Sequence, residues 1–473
     1  MSDHYCCNHC HQRYDKCFCP SELPKLHLIS KSPKAPEEQP VTEKHYNVMI
    51  IGYGNLGKTT EKAILDRCKL NSTSGEKTTA DLFLVDIDKP HISRLPTSKC
   101  NRTALSSNDI DTTPHLKMAE IIIVCLPSHT VSHWLRAYSH RLKDKTVLIR
   151  STLPITFLEE NAKQVPQDFA YVPEYSTEHT MRTEKISEID NYFASTPLAT
   201  DTVTDLLRPM FENAPFKEVA ARKLLRNSAV AINAVYHNWS LMFLRQHGIA
   251  PMDINTYDFL DINPEMPRAD MPQALRFGGK CLKTSLEMLD KSASTPLGLT
   301  SSLWHSLNDF NEYPTYHYVN KLKEDIRKRA GGQKTVKFNL ILAGLNYKSD
   351  QPTSTVYGSV ALDVIQCLHM SHPIRTYLHP KITKMHLEEV KASPNPPPVY
   401  AFAEKAHGIL LIQPLANVVA TIKQVLPPKS KDPKKTKAKP FVIYDPLMQV
   451  YPMHIESLRR LTDVPFQVVT HLE

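Results

Sequence analysis

Glycine is scarce in this chain, with 13 among 473 residues, against a usual share of about 7%. The scarcity excludes a collagen-like protein, a Gly/Ser linker and a glycine-dense β-solenoid. No apolar run approaches the roughly 18 residues that a membrane helix needs, so we expect no membrane association. The first residues also lack the basic start and apolar core of a signal peptide, and none is predicted.

Outside one short segment, positive and negative charges nearly balance. The chain has 57 Lys and Arg against 49 Asp and Glu, a formal net charge of +8. Seven lysines and a single aspartate fall in the insertion 423–439 and account for most of that excess. A basic loop on a near-neutral protein does not predict nucleic-acid binding. A solvated insertion is the simplest interpretation of this segment, and a contact surface is the alternative.

The ten cysteines divide into a cluster and a scattered set. Five of them lie in the first 19 residues, where Cys7, Cys10, Cys17 and Cys19 have spacings that could supply four thiolates to a structural zinc ion. A disordered or redox-labile tail is the alternative, because a linker-like segment follows. The other five stand singly, as is usual in a reducing compartment, and therefore predict a cytoplasmic protein.

Short apolar runs alternate with helical patterns in two parts of the chain, which predicts an α/β fold with two Rossmann-type sheets. In the first part we expect strands at 46–51, 81–86, 120–125 and 146–150, and a helix at 58–70. A long helix at 218–247 separates these from strands at 338–343, 374–378, 408–412 and 441–444. The predicted domains are an extension with linker (1–44), a Rossmann domain (45–215), a central helical domain (216–330) and a C-terminal α/β domain (331–473).

Three of the scarce glycines form the pattern GxGxxG in Gly52-Tyr53-Gly54-Asn55-Leu56-Gly57. The pattern follows a predicted strand and opens a predicted helix, where it would bring the backbone up to a pyrophosphate at the helix N-terminus. The next predicted strand ends at Asp86, whose carboxylate would accept a hydrogen bond from a ribose 2′-hydroxyl and repel a 2′-phosphate. These features predict NAD rather than NADP as the cofactor. The alternative is an α/β fold with a vestigial turn.

Two further features have bland interpretations when taken singly. Lys223 and Asn227 are four residues apart and share one face of the long helix, although lysine on an exposed helix is commonplace. Cys281 follows Gly278, Gly279 and Lys280; the glycines could bare the backbone beside a nucleophilic thiol and the lysine could favour its thiolate. A single cysteine is more often a small buried apolar residue.

Taken in order, these segments resemble the UDP-glucose/GDP-mannose dehydrogenases, the nucleotide-sugar 6-dehydrogenases, from about residue 46 to about 450. Ser151-Thr152-Leu153-Pro154 is similar to their STVP, and the segment from Val172 to Glu178 is similar to NPEFLxE. The helix bearing Lys223, Asn227 and Asn238 is similar to KLxxNAFxAxxISxxNE. Phe277-Gly278-Gly279-Lys280-Cys281-Leu282 is similar to FGGSCF, and the segment from Gly344 to Asp350 to GxAFKxxT.

The resemblance implies a homodimer, or a higher homo-oligomer, joined through the central helix, with NAD on the first domain, the nucleotide-sugar on the third and the cysteine between them. It implies NAD-dependent oxidation of a sugar C6 alcohol to the carboxylate by two hydride transfers, through a thiohemiacetal and a thioester on Cys281. Glu174 would act as base through a water, with Glu178 nearby, and Lys223 and Asn227 would stabilise the oxyanion. The implied catalytic set is Cys281, Lys223, Asn227, Glu174, Glu178 and Thr152. The implied cofactor set is Gly52, Gly54, Asn55, Leu56, Gly57, Asp86, Pro127, Thr152 and Lys348. The implied substrate set is Lys223, Asn227, Phe277, Gly278 and Gly279.

The sequence also departs from the family pattern. Thr284 and Ser285 replace a Lys-Asp pair that follows the cysteine, and Thr355 replaces an arginine that contacts the nucleotide-sugar. Three hypotheses therefore stay open. The chain is an NAD-dependent oxidoreductase of a nucleotide-sugar or a related polar metabolite, a non-catalytic relative that serves as a binding or scaffold protein, or a single-step dehydrogenase of the 6-phosphogluconate type.

Overall fold

The computed structural model describes residues 42–70, 76–87, 101–110, 114–175, 191–207, 211–247, 275, 277, 280–293, 299–331, 338–344, 359–369, 374–378, 406–412, 415, 417–427, 440–446, 450 and 452–470. The predicted zinc ligands Cys7, Cys10, Cys17 and Cys19 lie outside these residues, as does most of the lysine-rich insertion. Within the described part of the chain, no group of three or more His, Cys, Asp or Glu side chains could hold a metal ion. None of its helices is long and apolar enough to cross a membrane.

An eight-stranded sheet forms the first part of the described chain. Its strands are β1 (Thr42–Ile51), β2 (Glu76–Asp86), β3 (Asn101–Ser106), β4 (Ile121–Val124), β5 (Thr146–Ile149), β6 (Phe169–Tyr171), β7 (Asn191–Ser195) and β8 (Phe211–Asn213). They lie in the order β3-β2-β1-β4-β5-β6-β7-β8. All neighbouring pairs are parallel except β6 and β7. The reversal of strand order beside β1 opens a crevice at the carboxyl ends of β1 and β4, where ligands of such sheets bind.

Helices cover both faces of this sheet. They are α1 (Asn55–Leu70), α2 (His115–Met118), α3 (Ser128–Tyr138), α4 (Phe157–Glu160) and α5 (Pro197–Leu207). Alternate residues of β1 enter opposite cores, since Met49 and Ile51 pack with α3 while Val48 and Ile50 pack with α1 and α5. Because both faces are buried, the central strands are continuous apolar runs, as expected for a parallel sheet.

The described residues in the middle of the chain form three helices: α6 (Phe216–Gln246), α7 (Lys280–Ala293) and α8 (Leu299–Arg329). Small residues on α6, Ala231 and Ala234, allow close packing against Leu286 of α7 and Leu307 of α8. The N-terminus of α7, which bears Cys281, is thereby fixed beside the amino-terminal half of α6.

A second sheet of five parallel strands follows, in the order β10-β9-β11-β12-β13. Its strands are β9 (Phe338–Ala343), β10 (Ile374–Leu378), β11 (Gly408–Leu411), β12 (Phe441–Tyr444) and β13 (Phe466–Val469). The accompanying helices are α9 (Val360–His369), α10 (Val418–Lys423) and α11 (Pro452–Arg459). The predicted α/β class with two Rossmann-type sheets and a helical middle is confirmed. The long helix begins at Phe216 rather than at residue 218 and ends one residue before the predicted end.

Candidate active site

The predicted dinucleotide turn lies at the carboxyl end of β1. Gly52 has a φ of 91°, a left-handed conformation that favours glycine. A Cβ at Gly57 would lie only 2.1 Å from the carbonyl oxygen of Gly52. In contrast, a Cβ at Gly54 would meet no atom within 4 Å. The backbone of the turn therefore requires glycine at Gly52 and Gly57. Gly54 is not required by the backbone, and its lack of a side chain leaves open space in front of the turn.

Asp86, at the end of β2, faces the same turn. Its Oδ2 accepts the backbone N–H of Tyr53 at 2.7 Å, and its Oδ1 accepts that of Ile87 at 2.7 Å. The two hydrogen bonds fix the carboxylate beside the glycine turn. This is the arrangement that the sequence predicts for a carboxylate that binds a ribose hydroxyl.

The side chain of Tyr53 is braced by an ion pair that the sequence did not reveal. Its hydroxyl donates to Glu61, which is 5% exposed and lies 3.2 Å from Nη1 of Arg102 on β3. Burial is the main cause that raises the pKa of Tyr53, and the hydrogen bond to Glu61 adds to it. The phenol therefore remains a neutral donor and holds the turn against α1.

Gly57→Ala and Gly54→Ala should separate the structural need for glycine from the need for ligand space. Gly57→Ala drives a methyl group into the Gly52 carbonyl, and overpacking typically costs about 1–3 kcal/mol. Gly54→Ala has room in the free protein but fills the space expected for a pyrophosphate. We expect Gly57→Ala to lower the thermal midpoint without NAD, and Gly54→Ala to keep it while raising the Kd for NAD by about tenfold or more. Equal losses of thermal midpoint in the two variants would contradict this division.

A buried guanidinium links helix α1, which follows the dinucleotide turn, to the predicted base. Arg150 follows β5 and donates to Oε2 of Glu174, which follows β6. Its Nη1 donates to the hydroxyl of Thr60 on α1 at 2.8 Å, and its Nε to the carbonyl of Val172 at 3.4 Å. The side chains of Arg150 and Glu174 are 6% and 14% exposed. Parallel strands with adjacent carboxyl ends thus bring together residues far apart in sequence.

Lys223 on α6 reaches the same segment. Its Nζ donates to the backbone carbonyl of Glu174 and lies 5.3 Å from the ring centroid of Tyr175. Burial lowers the pKa of Lys223, while the nearby thiol of Cys281 and carboxylate of Glu174 act in the opposite direction. Lys223 is thus a nearly buried cation within the electrostatic reach of both predicted reactive groups.

The lowered pKa of Lys223 makes stability depend on pH. Between that lowered value and the ordinary lysine value of about 10.4, the unfolded chain binds more protons than the folded chain. The contribution of this group to stability therefore rises with pH across that window. We expect the thermal midpoint of the unaltered chain, relative to that of Lys223→Met, to increase as the pH is raised from 7 to 10. For Lys217→Met, at an exposed position of the same helix, the difference in thermal midpoint from the unaltered chain should not change with pH. If the difference for Lys223→Met is also independent of pH, burial of its ammonium group has no such effect.

Asn227 is joined to the helix of Cys281 through Ser285. Asn227 Nδ2 donates to Ser285 Oγ at 2.9 Å, and Ser285 Oγ donates to the carbonyl of Cys281 at 2.8 Å. Ser285 is fully buried, Asn227 is 8% exposed, and Cys281 is exposed in the first turn of α7. The hydroxyl that replaces the expected carboxylate therefore contacts the predicted oxyanion-binding amide. Cys281 does not have the burial that a packing role would require.

The structure describes some of the remaining predicted site residues and not others. Thr152 is half-buried after β5, and Pro127 is exposed immediately before α3. Asn55 and Leu56 open α1, and Phe277 is buried against α6 and α8. Four predicted residues lie outside the described part of the chain: Glu178, Gly278, Gly279 and Lys348.

The solved structures similar to this chain include nucleotide-sugar dehydrogenases. A UDP-glucose dehydrogenase from Pyrobaculum islandicum has a TM-score of 0.60 and 15% identity, over 85% of this chain and 94% of that one. A UDP-D-ManNAc dehydrogenase from Pyrococcus horikoshii has a TM-score of 0.56 and 16% identity, over 85% and 95%. A UDP-N-acetyl-mannosamine dehydrogenase from Staphylococcus aureus has a TM-score of 0.56 and 15% identity, over 90% and 98%. No protein-family profile and no curated protein matches the chain. The structural similarity shows that the fold extends across most of the chain.

Proposed function

We propose that this protein is a nucleotide-sugar 6-dehydrogenase that oxidises a C6 alcohol to the carboxylate with NAD, by way of a covalent intermediate on Cys281. One observation carries the proposal. On α6, Lys223 donates a hydrogen bond to the backbone carbonyl of Glu174. Asn227, four residues later, donates one to Ser285 on the helix that bears Cys281. These two contacts support a site in which the cation of Lys223 and the amide of Asn227 lie between the segment of Glu174 and the helix of Cys281.

The residues of the first domain fit NAD. The space in front of Gly54 would be filled by a side chain at that position, and Asp86 faces the turn with both oxygens already oriented. Gly52, Gly54, Asn55, Leu56 and Gly57 would hold the pyrophosphate, and Asp86 the ribose. NAD, when bound, would accept one hydride in each of two steps, so that one substrate consumes two NAD and one water.

The side chains of the chain would carry the proton and acyl chemistry. Glu174 would take the proton of the alcohol through a water, and the charge of Lys223 with the amide of Asn227 would stabilise the oxyanion. The thiolate of Cys281 would add to the aldehyde carbon to form a thiohemiacetal, which becomes a thioester when its hydride departs. Water would then displace the thiol and release the carboxylate.

The proposed assembly is a homodimer through the central helices. Large apolar side chains are exposed along α6 and α8, a pattern typical of an interaction surface rather than of an isolated monomer. They are Leu225, Ile232, Tyr236 and Phe243 of α6 and Leu303, Phe310, Tyr313 and Tyr316 of α8. A second copy of the chain is the occupant that we propose, and the mass of the purified protein in solution tests it.

A panel of nucleotide-sugars assayed for NADH at 340 nm tests the activity. We expect one member to give two NADH for each molecule consumed. NAD binding without reduction of NAD by any panel member would favour the scaffold hypothesis. A ratio of one NADH per substrate, retained in Cys281→Ala, would favour a single-step dehydrogenase.

A further inference from the structure

Two buried asparagines hold the backbone that leads to Cys281. Asn311 on α8 accepts the N–H of Phe277 on Oδ1 at 2.9 Å and donates from Nδ2 to the carbonyl of Phe277 at 3.3 Å. Asn238 on α6 donates from Nδ2 to the carbonyl of Leu275 at 2.8 Å. Leu275 and Phe277 lie in neither a helix nor a strand. The asparagine side chains therefore provide hydrogen bonds that regular secondary structure provides elsewhere.

The placement of these amides is energetically demanding. Asn311 is 3% exposed and Asn238 is 1% exposed, and a buried amide that loses its partner costs about 1–3 kcal/mol. The amide of Asn311 contacts both backbone groups of Phe277, so it fixes the two peptide groups that flank the Cα of this residue. The ring of Phe277 is 1% exposed and packs against α6. Residue 277 is thus fixed on its backbone by α8 and on its side chain by α6.

Cys281 lies four residues beyond this anchor. Its helix is joined to α6 by Asn227, whose Nδ2 donates to Ser285 Oγ at 2.9 Å, and Ser285 Oγ donates in turn to the carbonyl of Cys281 within the helix. We infer that Asn311 is a positioning residue that fixes the first turn of α7, which bears the Cys281 thiol, relative to Lys223 and Asn227 of α6. The inference rests on the proposed function for its catalytic meaning, and Asn238 supports the same segment two residues earlier.

The test measures the electrostatic coupling between Lys223 and Cys281 without any substrate. Full-length protein is treated with iodoacetamide, and alkylation of Cys281 is followed by peptide mass spectrometry. In the unaltered chain, Lys223→Met should slow alkylation of Cys281 by about threefold or more, because it removes a cation that interacts electrostatically with Cys281. In an Asn311→Ala background, Lys223→Met should cause less than about half of the fold-change in alkylation rate that it causes in the unaltered chain. The reason is that the position of the thiol relative to Lys223 is no longer fixed.

A matched control separates positioning from general stability. Asn161 is another buried asparagine, 4% exposed, which donates to the carbonyl of Phe157 at 2.9 Å in the first domain. Asn161→Ala should lower the thermal midpoint yet leave the coupling intact. If Asn311→Ala does not fold, Asn238→Ala, which removes one hydrogen bond, should weaken the coupling in the same direction.

Two results would overturn the inference. Full coupling in both Asn311→Ala and Asn238→Ala would show that these residues only add stability. No effect of Lys223→Met in the unaltered chain would show that there is no geometry for Asn311 to maintain. Neither result depends on NADH formation, so the nucleotide-sugar panel decides the proposed function separately.

Discussion

Cys281→Ser should abolish formation of the carboxylate while leaving the protein folded. The side chain is exposed at the first turn of α7, so replacing sulfur by oxygen removes no core packing. A serine hydroxyl is a far weaker nucleophile than a thiolate at neutral pH, and it has no sulfur with which to form the thiohemiacetal and thioester of the proposed second oxidation. We expect carboxylate formation to fall by about a thousandfold or more. At most one NADH per substrate should appear, as measured at 340 nm with product analysis.

Cys367→Ser is the matched control for this substitution. Cys367 is a half-buried free thiol on α9, in the part of the chain that follows the helical middle. It should retain two NADH per substrate and nearly unaltered kcat/KM. If Cys281→Ser also keeps that ratio, the thiol is not the covalent nucleophile. Full activity of Cys281→Ala with a ratio of one would favour the single-step hypothesis.

The sequence predicts best those strands whose first and last residues are apolar. The bounds 338–343, 374–378 and 441–444 agree with the structure because apolar residues begin and end with the strand. β1 and β2 begin earlier than predicted, since Thr42 pairs with Glu76 through the backbone in a polar extension of the sheet. The polar strand β3 and the three-residue strands β6 and β8 have too few apolar residues to be recognised.

The candidate site could be predicted only where it depends on local spacing. A separation of four residues places Lys223 and Asn227 on one helix face, and the glycine pattern indicates its own turn. The pairing of Arg150 with Glu174 depends on the order of β5 and β6 in the sheet, which one sequence does not specify. An arginine directly after a buried apolar strand was the available signal for this ion pair.

The role of Ser285 also depends on tertiary structure. From the sequence it marks the loss of an expected carboxylate. In the structure its hydroxyl accepts a hydrogen bond from Asn227 and donates one to the carbonyl of Cys281. A neutral group therefore maintains the link between the two elements, and the departure from the family pattern is not by itself evidence that activity is lost.

Arg150→Met should be the most destabilising of the substitutions discussed. Methionine has a similar length, but it leaves the carboxylate of Glu174 without its guanidinium and removes the hydrogen bond to Thr60. Breaking a buried ion pair by removing one partner typically costs about 3–5 kcal/mol. We expect a loss of that size in urea unfolding of the full chain, monitored by circular dichroism. Arg150→Lys retains the charge but not the fork of donors and should lose less.

The double variant Arg150→Met with Glu174→Gln distinguishes the ion pair from packing. Each single change removes the ion-pair partner of one buried charge, whereas the double change removes both charges. The double variant should therefore lose less unfolding free energy than the sum of the two single losses, by about 1 kcal/mol or more. Arg459→Met breaks a pair with Glu456 in which both side chains are over 60% exposed, and should leave stability almost unchanged. Additive losses at Arg150 and Glu174 would mean that the two charges do not stabilise each other. The position of the Arg150 guanidinium would then be fixed by its hydrogen bonds to Thr60 and Val172, and other contacts would position Glu174.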